Sequence, residues 1–166
     1  MHRIGDTVLY GTVGVMKIID IREESAFDTP RTYYVLTDPE GKSGSETLIP
    51  TDNKELTSRM RPLLSKEELR EVIREGKNMP PEEWVSDNRR RGDAYNKIML
   101  SGDRRRIIAM IRAIHEAGLI RAKEGKKNFL SDENIMRKAE KLLFSEIAAV
   151  MDITESEASD FVEAID

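Results

Sequence analysis

The chain has 166 residues and a mass of 19.0 kDa, of which 35% are charged, 39% hydrophobic and only 5% aromatic. That length holds one ordinary domain or two small ones and excludes a large enzyme with a separate cofactor domain. The absence of Cys removes disulfides, thiolate chemistry and Cys-based zinc sites, and two His (His2 and His115) cannot build a His-rich metal centre. No apolar run approaches the roughly 20 residues of a bilayer-spanning helix. The N-terminus, Met1-His2-Arg3-Ile4-Gly5-Asp6, carries no signal-peptide apolar stretch, so a cytoplasmic protein with no membrane partner is expected.

The formal charge of −4 conceals a strong local pattern. Residues 1–83 carry 12 Lys/Arg against 16 Asp/Glu. From Trp84 to Arg112 there are eight bases and three acids, and from Arg121 to Lys141 seven bases and four acids. The last stretch, Glu146 to Asp166, has seven acids and no base. A polyanion is therefore attracted to the middle of the chain and repelled by its end.

In chain order, the first 62 residues read as β. Thr7–Tyr10 is a short strand, Gly11 and Gly14 bracket a tight turn, and Val15–Ile21 is a second strand rich in β-branched residues. Pro30 marks the connection to Thr32–Leu36. Asp38-Pro39-Glu40-Gly41 is a turn by its own chemistry, and Thr47–Ile49 is a short strand closed by Pro50. So few short strands bury little as an open sheet, which predicts a small closed or half-closed barrel.

From Ser65 the periodicity switches to helical. Ser65-Lys66-Glu67-Glu68 is a capping box, followed by an apolar stripe of Leu69, Val72 and Ile73. Gly76 and Pro80-Pro81 are expected to stop that helix, and Pro81-Glu82-Glu83-Trp84 to start the next. Ser101 is expected to cap a third helix, with Ile107, Ile108, Ile111 and Ile114 inward and Gly118 at its end. A basic loop, Ala122 to Leu130, precedes a long helix opened by Ser131-Asp132-Glu133. Thr154-Glu155-Ser156-Glu157 caps a final short one. The boundary between the two halves falls near Arg61–Ser65.

Three features stand out on chemical grounds. Trp84, the single Trp, is flanked by acids and Ser: it is either a plug between two helices or a flat apolar wedge against unstacked bases. Arg89-Arg90-Arg91 and Arg104-Arg105-Arg106, with Lys97 between them, are either solvated helix faces or a stripe that follows a phosphate backbone, which suits the bidentate guanidinium. Lys123, Lys126 and Lys127 lie in the basic loop and could touch the same backbone. His115 reads as a half-buried structural His, and Glu67-Glu68 and Glu82-Glu83 as first-turn charges favoured by the helix dipole rather than an acid–base pair. No catalytic residue, metal or cofactor is expected.

The ordered set of motifs resembles the CarD/CdnL family of bacterial RNA polymerase-binding transcription factors over nearly the full length. The first half carries Ile4-Gly5-Asp6-x-Val8-x-Tyr10-Gly11-x-x-Gly14-Val15, Tyr33-Tyr34-Val35-Leu36 and Ile49-Pro50-x-x-Asn53. The second carries Arg61-Pro62-Leu63, Trp84, the Arg89–Arg91 run, Ser101-Gly102-Asp103 and Phe129-Leu130-Ser131 through to Glu146. The resemblance implies an α+β protein of two domains, with no enzymatic activity. Residues 1–62 would be a Tudor-like (SH3-like) barrel that docks on the polymerase β subunit, and residues 65–166 an all-α DNA-binding domain of about five helices. It further implies that a Trp enters the minor groove at the upstream edge of the promoter bubble and stabilises the open complex.

The candidate DNA-binding residues are Trp84, Arg89, Arg90, Arg91, Lys97, Arg104, Arg105, Lys126 and Lys127. Thr47, Leu48, Ile49 and Pro50 form the candidate polymerase-facing edge, and Arg22 is assigned to the same interface. DNA contact is expected to be weak and largely sequence-independent, with the protein a monomer. Two departures from the family pattern are visible: Leu48 stands where many members have a basic residue, and four residues separate Trp84 from the Arg run. The alternative function is a polymerase- or protein-binding adaptor that does not contact DNA.

Overall fold

The structure is a computed structural model and describes residues 1–26 and 29–166. The chain divides into two compact units, Met1–Leu63 and Leu64–Asp166.

The first unit is a five-stranded antiparallel sheet: β1 (Thr7–Tyr10), β2 (Gly14–Ala26), β3 (Thr29–Thr37), β4 (Thr47–Pro50) and β5 (Met60–Pro62). Their order is β4-β3-β2-β1-β5, so β4 and β5 are the edges and the ladder is not closed between them. A short helix, α1 (Lys54–Ser58), links them, begun by Asn53, whose side chain accepts the Leu56 amide at 3.1 Å. Neither α1 nor β5 was expected, because five and three residues are too few to show a period. Pro30 lies inside β3 rather than between strands. It pairs with Ser25 of β2, at a point where β4 does not yet cover the other side, and an edge tolerates the missing donor.

The core of this unit is Val8, Met16, Ile18, Tyr34, Leu36, Ile49 and Met60. A register shift between Ile18 and Asp20 leaves Ile19 unmatched and exposed. That bulge resets the two-residue period, so Ile21 and not Asp20 packs on the core.

The second unit holds five helices: α2 (Lys66–Asn78), α3 (Asn88–Ser101), α4 (Arg104–Lys123), α5 (Leu130–Met151) and α6 (Glu155–Ala164). Both expected capping boxes form, at Ser65/Glu68 and Thr154/Glu157. Leu69 and Ile73 of α2 meet Ile108 of α4, Leu143 and Ile147 of α5, and Ala158 of α6. Gly76 does not stop α2 but lets it approach α4. A Cβ there would sit 2.8 Å from the Ile108 Cβ and 3.0 Å from the Arg105 carbonyl oxygen. Gly118 likewise lies inside α4, where a Cβ would meet the Asn128 amide oxygen at 2.8 Å.

Ser101 ends α3 rather than capping α4. Gly102 supplies the left-handed C-cap (φ 71°), and Asp103 caps α4 by accepting the Arg105 and Arg106 amides. The chain enters this unit through a buried charge: the Glu146 carboxylate accepts the Leu64 amide at 3.0 Å and Arg104 at 2.8 and 2.9 Å. The Lys77 ammonium donates to the Val162 and Glu163 carbonyls at the end of α6 and to that of its C-cap, Ile165, where the helix dipole favours a cation. Among the described residues no helix is long and apolar enough to cross a membrane, and no cluster of His, Asp and Glu could hold a metal ion.

The loop after β3 is organised by one carboxylate. Asp38 accepts the amides of Glu40, Lys42 and Ser43 at 3.1, 3.1 and 2.9 Å, and the Ser43 hydroxyl at 2.5 Å. The Ser43 hydroxyl first, and then the Ser43 amide, hold its pKa down at about 2 against an ordinary 3.8. A depressed folded-state value means the ionised form orders the loop, so that order is present above pH 3.8 and is lost as pH falls through about 2. A carboxyl-carbon NMR titration of Asp38 is expected to show a midpoint near 2; one at 3.8 would mean that these bonds do not hold in solution.

Candidate nucleic-acid interface

Trp84 does not open a helix. Met79, before Pro80, is extended, and α3 starts only at Asn88, where the Asp87 side chain accepts the Arg90 amide at 2.9 Å. The irregular segment is instead fixed by side chains from the helices around it. The Glu82 amide donates to the Ala109 carbonyl at 3.3 Å, and the Glu82 carboxylate takes Arg106 at 2.7 Å. The Tyr95 hydroxyl donates to the Glu83 carbonyl at 3.0 Å. Burial, and then the nearby Asp132 charge, push the Tyr95 phenol up to about 12, so it remains a neutral donor. Glu82 and Glu83 are thus not first-turn helix charges.

The main anchor is Arg91. Its side chain is fully buried (0% exposed) and pairs with Asp132 of α5, itself 5% exposed, at 2.8 and 2.9 Å. The remaining guanidinium donors reach the Val85 carbonyl at 2.6 Å and the Asn88 side chain at 2.7 Å. The other Asp132 oxygen accepts the Trp84 indole N–H at 3.0 Å. Arg91 also lies 4.1 Å from the centre of the Trp84 ring, while Trp84 stacks on Phe129 with centroids 6.1 Å apart and 26° between planes. Trp84 is consequently half-buried, with its N–H edge tied down.

Phe129 carries the arrangement into the basic loop. The Arg121 guanidinium sits 4.0 Å above its ring and donates to the Lys127 carbonyl at 2.9 Å. Phe129 is also the N-cap of α5, with no side-chain cap bond; Ser131, expected to open that helix, lies inside it.

The candidate cations separate into two groups. Arg89, Arg90, Lys97 and Lys127 are exposed and have no ion pair among the described residues; Lys126 is exposed and pairs with Glu124 at 3.1 Å. At about 100° per residue, Arg91, Tyr95, Ile98 and Met99 share the inner side of α3 and Arg89, Arg90 and Lys97 the outer. Arg91 is fully buried in its ion pair with Asp132, and Arg104, largely buried, is in one with Glu146. Arg105 is half-exposed but engaged by Glu75 at 3.0 Å and Asp103 at 3.4 Å. All three members of the second Arg triplet are thus engaged by carboxylates of their own unit, Arg104 largely buried and Arg105 and Arg106 at the surface.

At the edge of the sheet, Ile49 and Pro50 are buried, Ile49 in the core, so their side chains are not available as contacts. What β4 offers outward is Leu48 (41% exposed), the half-buried Thr47 and its main-chain edge. Arg22 is held by Glu24 and Glu46, each at 2.7 Å. His2 packs edge-on against Tyr34, and His115 is exposed rather than half-buried.

Removing one partner of the Arg91–Asp132 pair strands a buried charge, which costs about 3–5 kcal/mol. Asp132→Ala is therefore expected to lower the stability of the helical unit by about that amount in urea denaturation followed by far-UV circular dichroism. The double change Arg91→Met with Asp132→Leu is expected to recover most of the loss. A loss below about 1 kcal/mol for Asp132→Ala would mean that the pair is solvated.

No curated protein matches the chain individually. The sequence profile described as CarD, C-terminal domain matches residues 68–163, more than half of the chain and nearly all of α2 through α6, with Trp84, Arg91, Phe129 and Asp132 inside it. On that match, and with the two-part α+β fold in which it sits, the chain belongs to the CarD/CdnL family of transcription factors.

Proposed function

We propose that this chain is a bacterial transcription regulator that docks on the RNA polymerase β subunit through residues 1–62 and grips promoter DNA at the upstream edge of the bubble through residues 65–166. The observation that carries the DNA half is the row of exposed cations Arg89, Arg90 and Lys97 on the outer side of α3, without an ion pair among the described residues and one segment away from the half-exposed ring of Trp84. Such cations release counterions from phosphates without reading sequence, and a fixed apolar ring suits a widened or unstacked step. Lys126 and Lys127 extend the basic surface. Arg105 joins it only by giving up Glu75.

The polymerase half rests on family membership and on the open main-chain edge of β4, which can accept a strand from a partner. Fewer than ten phosphate contacts give weak affinity in free solution, so the polymerase tether supplies the effective concentration. No reaction is catalysed. The protein shifts the balance between closed and open promoter by binding the open form better.

Open-complex lifetime is the direct test. With the cognate polymerase, a competitor challenge is expected to show a longer lifetime with the protein than without it. Trp84→Ala is expected to remove about tenfold of that gain, the effect of a stacking contact worth 1–3 kcal/mol. An unchanged lifetime with polymerase binding intact would favour the adaptor role, for which the exposed Leu119, Ile120 and Leu130 on the helical unit offer a surface.

A further inference from the structure

We infer that Phe129 is a positioning residue: its ring joins the Trp84 segment to the basic loop, so that Trp84 and Lys126–Lys127 meet DNA as one body. The inference rests on the reading of Trp84 as a DNA contact.

The starting point is a local rule that the sequence breaks. The N-cap of a helix favours Ser, Thr, Asp or Asn, because a side-chain oxygen can take one of the unpaired first-turn amides. At the 22-residue α5, the longest helix of the chain, that place is held by Phe129, which makes no cap bond. A choice that weakens local structure needs a compensating use, and such choices concentrate at functional sites.

The use is visible in what the ring touches. On one flank Phe129 stacks with Trp84, and Arg91 lies 5.2 Å from its centre, closing a cluster of two rings and one buried guanidinium. On another, Arg121 from the last turns of α4 sits over the ring at 4.0 Å. The same Arg121 receives the loop, since its Nε donates to the Lys127 carbonyl and its own carbonyl accepts the Lys126 amide at 2.9 Å. Arg121 and Phe129 are therefore the bond between the loop that carries Lys126 and Lys127 and the ring of Trp84. Asp132, one turn into α5, completes the link by holding the indole N–H. Without the Phe129 ring, Trp84 keeps its N–H tether but loses its stacking partner, and the loop loses its anchor to the cluster.

Trp84 is the only Trp, so its emission reports this joint with no other contributor. Three variants of the full chain test it: Phe129→Ser, which restores a capping oxygen; Phe129→Leu, which keeps apolar bulk; and Phe129→Tyr, which keeps the ring. The serine variant is expected to keep its thermal midpoint within about 5 °C, because the gained cap offsets lost packing. Should it unfold, Phe129→Leu takes its place. In either variant Trp84 emission is expected to shift to the red, with acrylamide quenching rising about twofold, whereas Phe129→Tyr resembles the parent.

Open-complex lifetime is then expected to fall to within about twofold of the Trp84→Ala value, and Phe129→Leu combined with Trp84→Ala to fall no further, as non-additive coupling requires. Unchanged quenching in Phe129→Leu would overturn the inference, and so would an additive double variant, which would mean that Phe129 touches DNA on its own account. Should Trp84→Ala leave the lifetime unaltered, the DNA reading itself fails and the inference with it. The quenching experiment, which contains no DNA, tells that failure apart from a failure of the joint.

Discussion

The helical unit is organised around a charge taken out of water. Arg91 and Asp132 sit at the meeting of α3, α5 and the 80–87 segment, almost wholly buried. A guanidinium is tolerated there only because its donors are shared among Asp132, the Val85 carbonyl and the Asn88 side chain, and because the Trp84 ring lies over it. The cost of that burial gives the pair its specificity: a rotated α3 or a displaced segment would leave a bare charge inside. Trp84 inherits its position from this requirement, through the Asp132 oxygen that Arg91 leaves over.

The same economy recurs at Arg104 and the buried Glu146, whose carboxylate also receives the Leu64 amide and so fixes how the chain enters the unit. With Arg105 and Arg106 turned to Glu75, Asp103 and Glu82, most of the guanidinium charge of the 84–112 stretch is neutralised inside its own unit. Of the candidate contacts, those exposed and without an acidic partner among the described residues are Arg89, Arg90 and Lys97 on α3 and Lys127 in the loop, where Lys126 pairs with Glu124. On the proposed reading, so short a row gives a weak, sequence-blind grip on phosphate, which suits a tethered factor better than a free-standing DNA binder.

Much of this architecture is legible in the residues. The strand runs of the first half, the two capping boxes and the apolar stripe of α2 are strong local signals, and all form. Other helix starts depend on tertiary contacts that a Pro or Ser in the sequence does not reveal: Pro81 precedes an irregular segment, and Ser101 ends a helix. Composition alone does not separate a buried Arg such as Arg91, or an ion-paired one such as Arg104, from a solvated one. A signal was present, since Arg91 lies four and seven residues before Tyr95 and Ile98, and Arg104 three and four before Ile107 and Ile108, each on its helix's apolar face. Asp132 could have been found likewise, three residues before Ile135. Phe129 could be found only by noticing that an aromatic residue stood where a cap belongs.

On the proposed reading, the outer cations of α3 hold phosphate while the other arginines hold the protein together. The most direct measurement is the salt dependence of binding to an upstream-fork promoter duplex, compared between the parent chain, an Arg89→Ala/Arg90→Ala/Lys97→Ala variant and an Arg105→Ala/Arg106→Ala variant. Each phosphate contact contributes roughly 0.7–0.9 to the slope of log K against log salt. The first variant is expected to lose about 2–3 from that slope and the second nearly nothing. Equal losses in both, or an unchanged slope in the first, would contradict it.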